Sequence, residues 1–407
     1  MFVGALSASL SCFASSIIAA SDSTQIKTHV NNLTSISCDS TAQRCLAVGF
    51  MLKKNGNWFD KHSINHVVYA TQDGGNTWNE PLTLRHPSNM TINGTMNIHC
   101  DDSGLTCLIA GTANVSADQD DIIVYTTDDA GLHWNKLKRL NIPEDKGTNI
   151  IGMSCSNKGD KCHILAQNGP LYSATIYKTQ DAGQTWSSIS LPKPENANGT
   201  YRVDGISCSD SSLRCTIIGG TEFDEQGSGS LAPLSYTTQD SGLTWSITTV
   251  HDQLSTDHSE KDYFSHIKCD NTGLKCIALR YQEIHEPPVI TYVHAYTTLD
   301  GGISWQKIGS IDNFDGSIYE SFSAFDCDKA GQFCIAVYSP IGVEGASPLV
   351  YATHDGGATW RNEDINTPEE TSILLDVFCD DNALLCQIVG MRDPFRNSEK
   401  LQKLLSH

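Results

Sequence analysis

Basic side chains are scarce in this chain: 27 lysines and arginines stand against 47 aspartates and glutamates over 407 residues, for a formal net charge of -20. A surface of that sign repels phosphate backbones, and no basic stripe interrupts it, so nucleic acid is excluded as a partner. Beyond residue 20 no apolar run is long enough to span a bilayer. Also missing are HExxH, GxSxG and the phosphate-cradling GxxxxGK, while the 14 histidines are scattered without metal-ligand spacing. No cofactor, no metal and no catalytic residue are therefore assigned. Charged residues make up only 18% and hydrophobic ones 39%, with 32 glycines punctuating short β-branched stretches, a composition of an all-β globular protein and not of a disordered one.

The first 20 residues, MFVGALSASLSCFASSIIAA, carry no charge and end in small side chains. They read as a secretory signal peptide cleaved near Ala20, although the usual positive opening is absent. Cys12 has Ser9 three residues before it, where a lipoprotein signal wants leucine. The expected location is secreted, periplasmic or extracellular. Residues 21–391 are expected to form one repeat domain, and residues 392–407 a C-terminal tail in which NSEKLQKLLSH can form a short helix.

Setting Cys12 aside, the other fourteen cysteines form seven pairs of identical spacing: Cys38 and Cys45, Cys100 and Cys107, Cys155 and Cys162, Cys208 and Cys215, Cys269 and Cys276, Cys327 and Cys334, Cys379 and Cys386. Each pair frames six mostly polar residues between strand-like stretches, as in LTSISCDSTAQRCLAVGF, which predicts a hairpin closed by a disulfide. A loop of about 8 residues closed this way stabilises by at most roughly 2.5 kcal/mol through lost chain entropy. The rival reading is metal binding, but structural zinc sites bring cysteines two to four residues apart and need four converging ligands. Disulfides in this number imply an oxidising compartment.

Between the cysteine pairs a second element recurs: YATQDGGNTW, YTTDDAGLHW, YKTQDAGQTW, YTTQDSGLTW, YTTLDGGISW and YATHDGGATW. The two alternate with a period of roughly 50 to 60 residues, giving per unit strand a, cystine turn, strand b, loop, strand c, glycine turn, strand d. Four antiparallel strands per unit make a propeller blade. Six units are complete, and a seventh begins with LLDVFCDDNALLCQIVGM but has no glycine turn. The expected fold is a seven-bladed β-propeller of four-stranded antiparallel blades, each with a cystine hairpin. In it the N-terminal TQIKTHV supplies strand d of the last blade, because closure removes exposed edges. Strand c of that blade is either formed around MRDPF or absent. Six blades with an appended hairpin is the alternative.

The glycine turn repeats one aspartate (Asp73, Asp129, Asp181, Asp240, Asp300, Asp355), one glycine two residues later (Gly75, Gly131, Gly183, Gly242, Gly302, Gly357) and one tryptophan (Trp78, Trp134, Trp186, Trp245, Trp305, Trp360). The carboxylate can accept several backbone N–H groups, the glycine suits positive φ, and the indole offers apolar area for the neighbouring blade. Repetition argues for a structural role, since a catalytic carboxylate is needed once or twice and a brace in every blade. The pattern T-x-D-x-G-x-x-W resembles the Asp-box, or BNR repeat, of the sialidase-like propeller superfamily, in style close to photosystem II assembly-factor-like and sortilin-type propellers. The resemblance implies that the boxes lie between third and fourth strands, on the face away from the ligand site.

Strand alternation then puts cystine turns and boxes on one face, and the long b–c loops on the other. Those loops carry the aromatics Trp58, Phe59, Tyr172, Phe223 and Tyr281 among the acids Asp118, Asp120, Asp121, Glu222, Asp224, Glu225, Glu283 and Glu286. Aromatic faces with acidic neighbours suit a sugar, a basic peptide or a cation. SADQDD has carboxylates for calcium but lacks the glycine-centred EF-hand pattern. The resemblance also implies a rival: active sialidases use an arginine cluster, a tyrosine nucleophile with a glutamate, and an aspartate. This chain has nine arginines and no F/Y-R-I-P segment; PFRN at 394–397 has the wrong order and lies at the wrong end, and Arg44 and Arg214 lie inside cystine turns, while Arg85, Arg202 and Arg280 are candidates to converge. The primary expectation is a secreted, non-catalytic binding or assembly module that recognises a protein or glycan with its loop face, the candidate contacts being Trp58, Tyr172, Phe223, Tyr281, Arg85, Arg202 and Arg280. The alternative is an exo-sialidase-like glycoside hydrolase. Thiol labelling of the exported protein followed by intact-mass measurement is expected to leave all fourteen paired cysteines unlabelled until a reductant is added; fourteen reactive thiols would refute the hairpin assignment.

Overall fold

The computed structural model describes residues 24–30, 32–52, 64–87, 90–116, 119–135, 137–141, 147–168, 173–194, 201–221, 232–250, 259–284, 290–311, 322–339, 347–365 and 372–392. Their strands form seven sheets, six of four strands and one of three. In blade 1 the order from the axis outward is Leu33–Cys38, Cys45–Leu52, Ile64–Thr71 and Leu82–Thr83, all antiparallel. The innermost strands of blades 2 to 7 are Thr91–Cys100, Thr148–Cys155, Tyr201–Cys208, Ser259–Cys269, Ala324–Cys327 and Ser372–Cys379. The seven-bladed propeller is thus formed, and the six-blade alternative is ruled out.

All seven cystines close as expected, each joining directly opposed residues of the first hairpin. Cys38 bonds Cys45, Cys100 bonds Cys107, Cys155 bonds Cys162 and Cys208 bonds Cys215. Cys269 bonds Cys276, Cys327 bonds Cys334 and Cys379 bonds Cys386, and the Cα–Cα distances across the seven run from 3.9 to 4.1 Å. In blades 1 to 6 the second cysteine opens the second strand, as Cys334 does in Cys334–Tyr338; in blade 7 Cys386 comes second, because Leu385–Arg392 begins one residue earlier. That extra residue is paired with Gln25, so the closing strand lengthens the one it joins. Among the described residues no helix is long and apolar enough to cross a membrane.

Ring closure departs from expectation in one respect. The N-terminal strand Gln25–Val30 does join the last blade, but as its third strand, hydrogen-bonded in parallel to Leu385–Arg392. The reason is directional. A short link leads from Val30 into Leu33, so the strand runs opposite to the innermost strand of blade 1, as any fourth strand does. Among the described residues no strand lies between it and strand b, which runs the same way, so the pairing is parallel. Met391 and Arg392 of MRDPF end strand b; the remainder of that stretch and the tail NSEKLQKLLSH lie outside the described residues.

The boxes and cystine turns share one face and are bonded to each other. In every complete blade a box N–H donates to a cystine-turn carbonyl: Gly74 to Gln43, Ala130 to Leu105, Ala182 to Asp160, Ser241 to Leu213, Gly301 to Leu274 and Gly356 to Gln332. The cystine turns are also chained around the axis by backbone bonds, Ser40 to Asp102 to Asn157 to Asp210 to Asn271, and Lys329 to Asp381 to Ser40. At the centre of this ring Lys329 Nζ lies 3.1 Å from Asp210, 3.2 Å from Asp381 and 3.4 Å from Asp102, three carboxylates from three other blades. Partial burial opposes that charge, but the hydrogen bond to Asp210 and the fields of Asp381 and Asp102 hold the lysine above its ordinary pKa. Inside, the innermost strands line a polar cavity of about 240 Å³ containing Asp204, His266, Lys268, Asp326 and Asp376. Lys268 pairs with Asp326 at 2.6 Å, and burial lifts Asp376 to about 6 despite its bonds from Ser35 and the Ile36 N–H.

Apolar packing runs between blades. Trp134 packs against the cluster of Leu46, Val68, Ile109 and Tyr125 from blades 1 and 2, and Trp78 joins Leu33, Leu385 and Val389 across the closure. The second box glycine makes this approach possible. At Gly75 (φ 76°) an added Cβ would lie 2.7 Å from His29 Nε2, and at Gly242 (φ 73°) 3.0 Å from His163 Nε2.

Each box aspartate is held by its own turn. Asp73 Oδ1 accepts the Thr77 N–H at 2.9 Å and the Thr71 hydroxyl at 2.8 Å, and Oδ2 accepts the Thr77 hydroxyl at 2.7 Å. These bonds, the Thr77 N–H foremost, lower Asp73 from 3.8 to about 2, and Asp129 and Asp181 likewise reach about 2. A carboxyl depressed on folding contributes stability that is complete above its unfolded pKa and lost as pH falls through its folded one. The thermal midpoint is therefore expected to drop as the pH is lowered from 3.8 to about 2, less steeply in Asp181→Asn; a flat profile in that window would contradict the brace.

Candidate functional site at the loop-face mouth of the axis

Of the sequence-derived contacts, Trp58, Tyr172 and Phe223 lie outside the described residues, as do Phe59, Asp118, Glu222, Asp224, Glu225 and Glu286. The structure places Arg85, Arg202, Arg280 and Tyr281, and brings only two of them to one site.

Arg280 sits on Cys276–Ile284, the second strand of blade 5, and is fully buried. Its Nε and Nη2 donate to the two carboxylate oxygens of Asp262 at 2.7 and 2.6 Å, and Nη1 donates to Tyr296 OH at 2.8 Å. The planar fork matches the carboxylate bidentately, which is the geometry that makes a buried arginine tolerable. Tyr296 and Phe264 beside it pack with Ile218 and Val250 of blade 4, so Arg280 braces an inter-blade seam. It does not present a free guanidinium to a ligand.

Arg202 belongs to the innermost strand of blade 4, near its loop-face end. It pairs with Asp204 two residues on, Nε lying 2.8 and 2.9 Å from the carboxylate oxygens. Positions i and i+2 of a strand share a face, which is why the pair forms locally. The guanidinium lies 4.2 Å from the centroid of the Tyr263 ring, Tyr263 stacks on Tyr281 at 5.5 Å, and Tyr281 OH is 3.4 Å from both Glu283 Oε2 and Thr291 Oγ1. Burial raises both phenols, Tyr263 to about 12, so both are neutral hydrogen-bond donors at physiological pH. With 38% of its side chain exposed, Arg202 is the accessible end of this Arg–Tyr–Tyr ladder.

Arg85 is elsewhere. It lies exposed in a rim groove of about 780 Å³ with Leu82, Trp134, Leu137 and Arg139. The three arginines therefore occupy three separate environments. The acids of SADQDD that are described are also engaged: Asp121 takes Arg139 Nε at 2.7 Å, and Asp120 accepts the Gly147 N–H at 3.0 Å. Arg44, as expected, stays on the cystine face, bonded to the Ser103 carbonyl at 2.6 Å. Tyr263, Asp204 and Asp262 were not singled out in sequence; YRVD carries the i, i+2 signal for the first pair, whereas Asp262 and Arg280 are brought together only by strand register.

Removing Asp262 would strand a buried charge. Asp262→Ala is expected to cost about 3–5 kcal/mol in chemical denaturation, whereas Arg202→Ala, where the arginine is partly exposed, is expected to cost clearly less. Equal losses would contradict the distinction between brace and accessible end.

A family described as BNR repeat-like domain matches residues 46–215. No curated protein matches the chain. Among solved structures, one titled "YCF48 bound to D1 peptide" is 15% identical, covering 89% of this chain and 91% of that one with a TM-score of 0.50. The α-L-arabinofuranosidase Arb93A from Fusarium graminearum, in complex with an iminosugar inhibitor, is 12% identical over 79% and 92% of the two chains, TM-score 0.50. The NanB sialidase from Streptococcus pneumoniae is 12% identical over 76% and 65%, TM-score 0.45. Likeness at this identity is likeness of fold. Six box turns, seven cystine hairpins and seven sheets make the chain a disulfide-clipped seven-bladed β-propeller, similar over residues 46–215 to the BNR repeat-like domain.

Proposed function

We propose that this protein is a non-catalytic binding or assembly module of an oxidising, extracytoplasmic compartment, exported by its N-terminal segment, and that it recognises a protein or glycan with the loop face. The observation that carries the reading is the fate of the arginines. A sialidase-type site needs several free guanidinium groups around one substrate carboxylate, whereas here Arg280 is consumed by Asp262, Arg202 is neutralised by Asp204, and Arg85 lies in another groove. What remains at the mouth is a guanidinium laid on stacked aromatics, a surface suited to a sugar ring or a peptide side chain. That one neighbour of this fold is titled as bound to a peptide supports the peptide branch. The net charge of -20 favours a basic partner over an acidic one.

The second reading, an exo-sialidase-like glycosidase, has in its favour the contact of Tyr281 OH with Glu283 Oε2 at 3.4 Å. A fluorogenic sialoside separates the two. No turnover is expected from the intact protein, while glycan-array or peptide-array binding is expected to fall about tenfold or more in Arg202→Ala; each 1.4 kcal/mol of lost contact is tenfold in affinity. Turnover abolished by both Arg202→Ala and Tyr281→Phe would overturn the binding-module reading.

A further inference from the structure

The residue after the second cysteine of each blade points into the next one. Leu46 packs with the Cys100–Cys107 cystine and Leu108 with Cys155–Cys162, both aliphatic covers. In blade 3 the same position is His163, buried, with Nδ1 at 3.8 Å from Cys208 Sγ and 3.7 Å from Cys215 Sγ. Its Nε2 lies 3.2 Å from the Ser241 carbonyl oxygen. A carbonyl only accepts, so Nε2 carries the proton and Nδ1 turns a lone pair toward the two sulfurs. A backbone carbonyl holding the far ring nitrogen is also the arrangement that orients metal-bound imidazoles.

Accessibility singles out the same cystine. Thirteen of the fourteen paired cysteines are buried, and Cys208 is the exception. Lys178 donates to the Ser241 and Gly242 carbonyls at 3.4 and 3.1 Å, sharing the first of them with His163 and fixing the carbonyl that orients the ring.

We infer that His163, Cys208 and Cys215 form a thiol-gated site for a soft metal ion such as zinc. The three ligand atoms lie within 4.8 Å of one another. Tetrahedral zinc with ordinary bond lengths requires nitrogen and sulfur ligands about 3.6 Å apart, close to where Nδ1 already sits. Only the sulfur–sulfur bond has to open. A small dithiol is the reductant: its thiolate attacks the accessible Cys208 Sγ, the sulfur–sulfur bond breaks, and Cys215 leaves as thiolate beside Nδ1. The second thiol of the reductant then displaces Cys208, leaving the reductant as a cyclic disulfide and its two protons on Cys208 and Cys215. Zinc binding replaces those two protons, and a water would complete its four ligands. This inference is independent of the loop-face reading; in an oxidising compartment the cystine stays closed, and the site forms only where a dithiol is supplied.

The test uses the whole protein titrated with dithiothreitol, alkylated and mapped by peptide mass. Cys208 and Cys215 are expected to label at about tenfold lower reductant than the other six pairs, because exchange depends on access to the attacked sulfur. Cadmium added to the partly reduced protein is expected to give one equivalent of cadmium–thiolate charge-transfer absorbance, with affinity about tenfold or more weaker in His163→Leu, the cover used in blade 1, and in His163→Gln, which keeps polarity if the leucine variant misfolds. Simultaneous labelling of all seven pairs would overturn the proposal, as would cadmium absorbance that both histidine variants leave unchanged.

Discussion

The clipped turn is the unit on which this architecture rests. Each cystine holds two antiparallel strand ends together; in the six blades that have a box its turn accepts a hydrogen bond from that box, and turn backbones link sideways to neighbouring turns. Sheets that are wedge-shaped and apolar on both faces gain nothing alone; they are stable only when stacked against neighbours on either side. The turn-to-turn chain, centred on Lys329 among Asp102, Asp210 and Asp381, registers those neighbours at one end of the axis.

The polar groups inside the propeller follow the same economy. A net acidic chain has few cations, and those described near the axis are each matched to carboxylates: Lys268 to Asp326, Lys329 to three aspartates, Arg202 to Asp204, Arg280 to Asp262. Buried charges survive only when paired and hydrogen-bonded, so an arginine inside a blade seam is evidence of a local carboxylate before it is evidence of a ligand. The seam between blades 4 and 5 illustrates this, since the guanidinium of Arg280 has its donors satisfied by Asp262 and Tyr296.

Much of the fold was legible because its determinants are local. A cystine spaced by seven positions and a T-x-D-x-G-x-x-W turn act over fewer than ten residues, and each repeats, so blade count and facial polarity followed from counting and alternation. The parallel seating of Gln25–Val30 was not legible in the same way: strand direction was, but which edge it meets is decided by pairing with a strand some 360 residues away. The candidate site was only partly legible. Arg202 and Asp204 announce themselves by i, i+2 spacing, but the stacking of Tyr263 on Tyr281 and the approach of His163 to Cys208 and Cys215 arise between strands and between blades.

The sequence by itself determined the repeat, the cystine pairing and the face shared by cystine turns and boxes, since each is encoded in short-range spacing. Tertiary structure alone decided which charges are spent on bracing and which meet solvent. That depends on the company a side chain keeps across a seam, and such company is set by ring closure and strand register, not by neighbours in the chain.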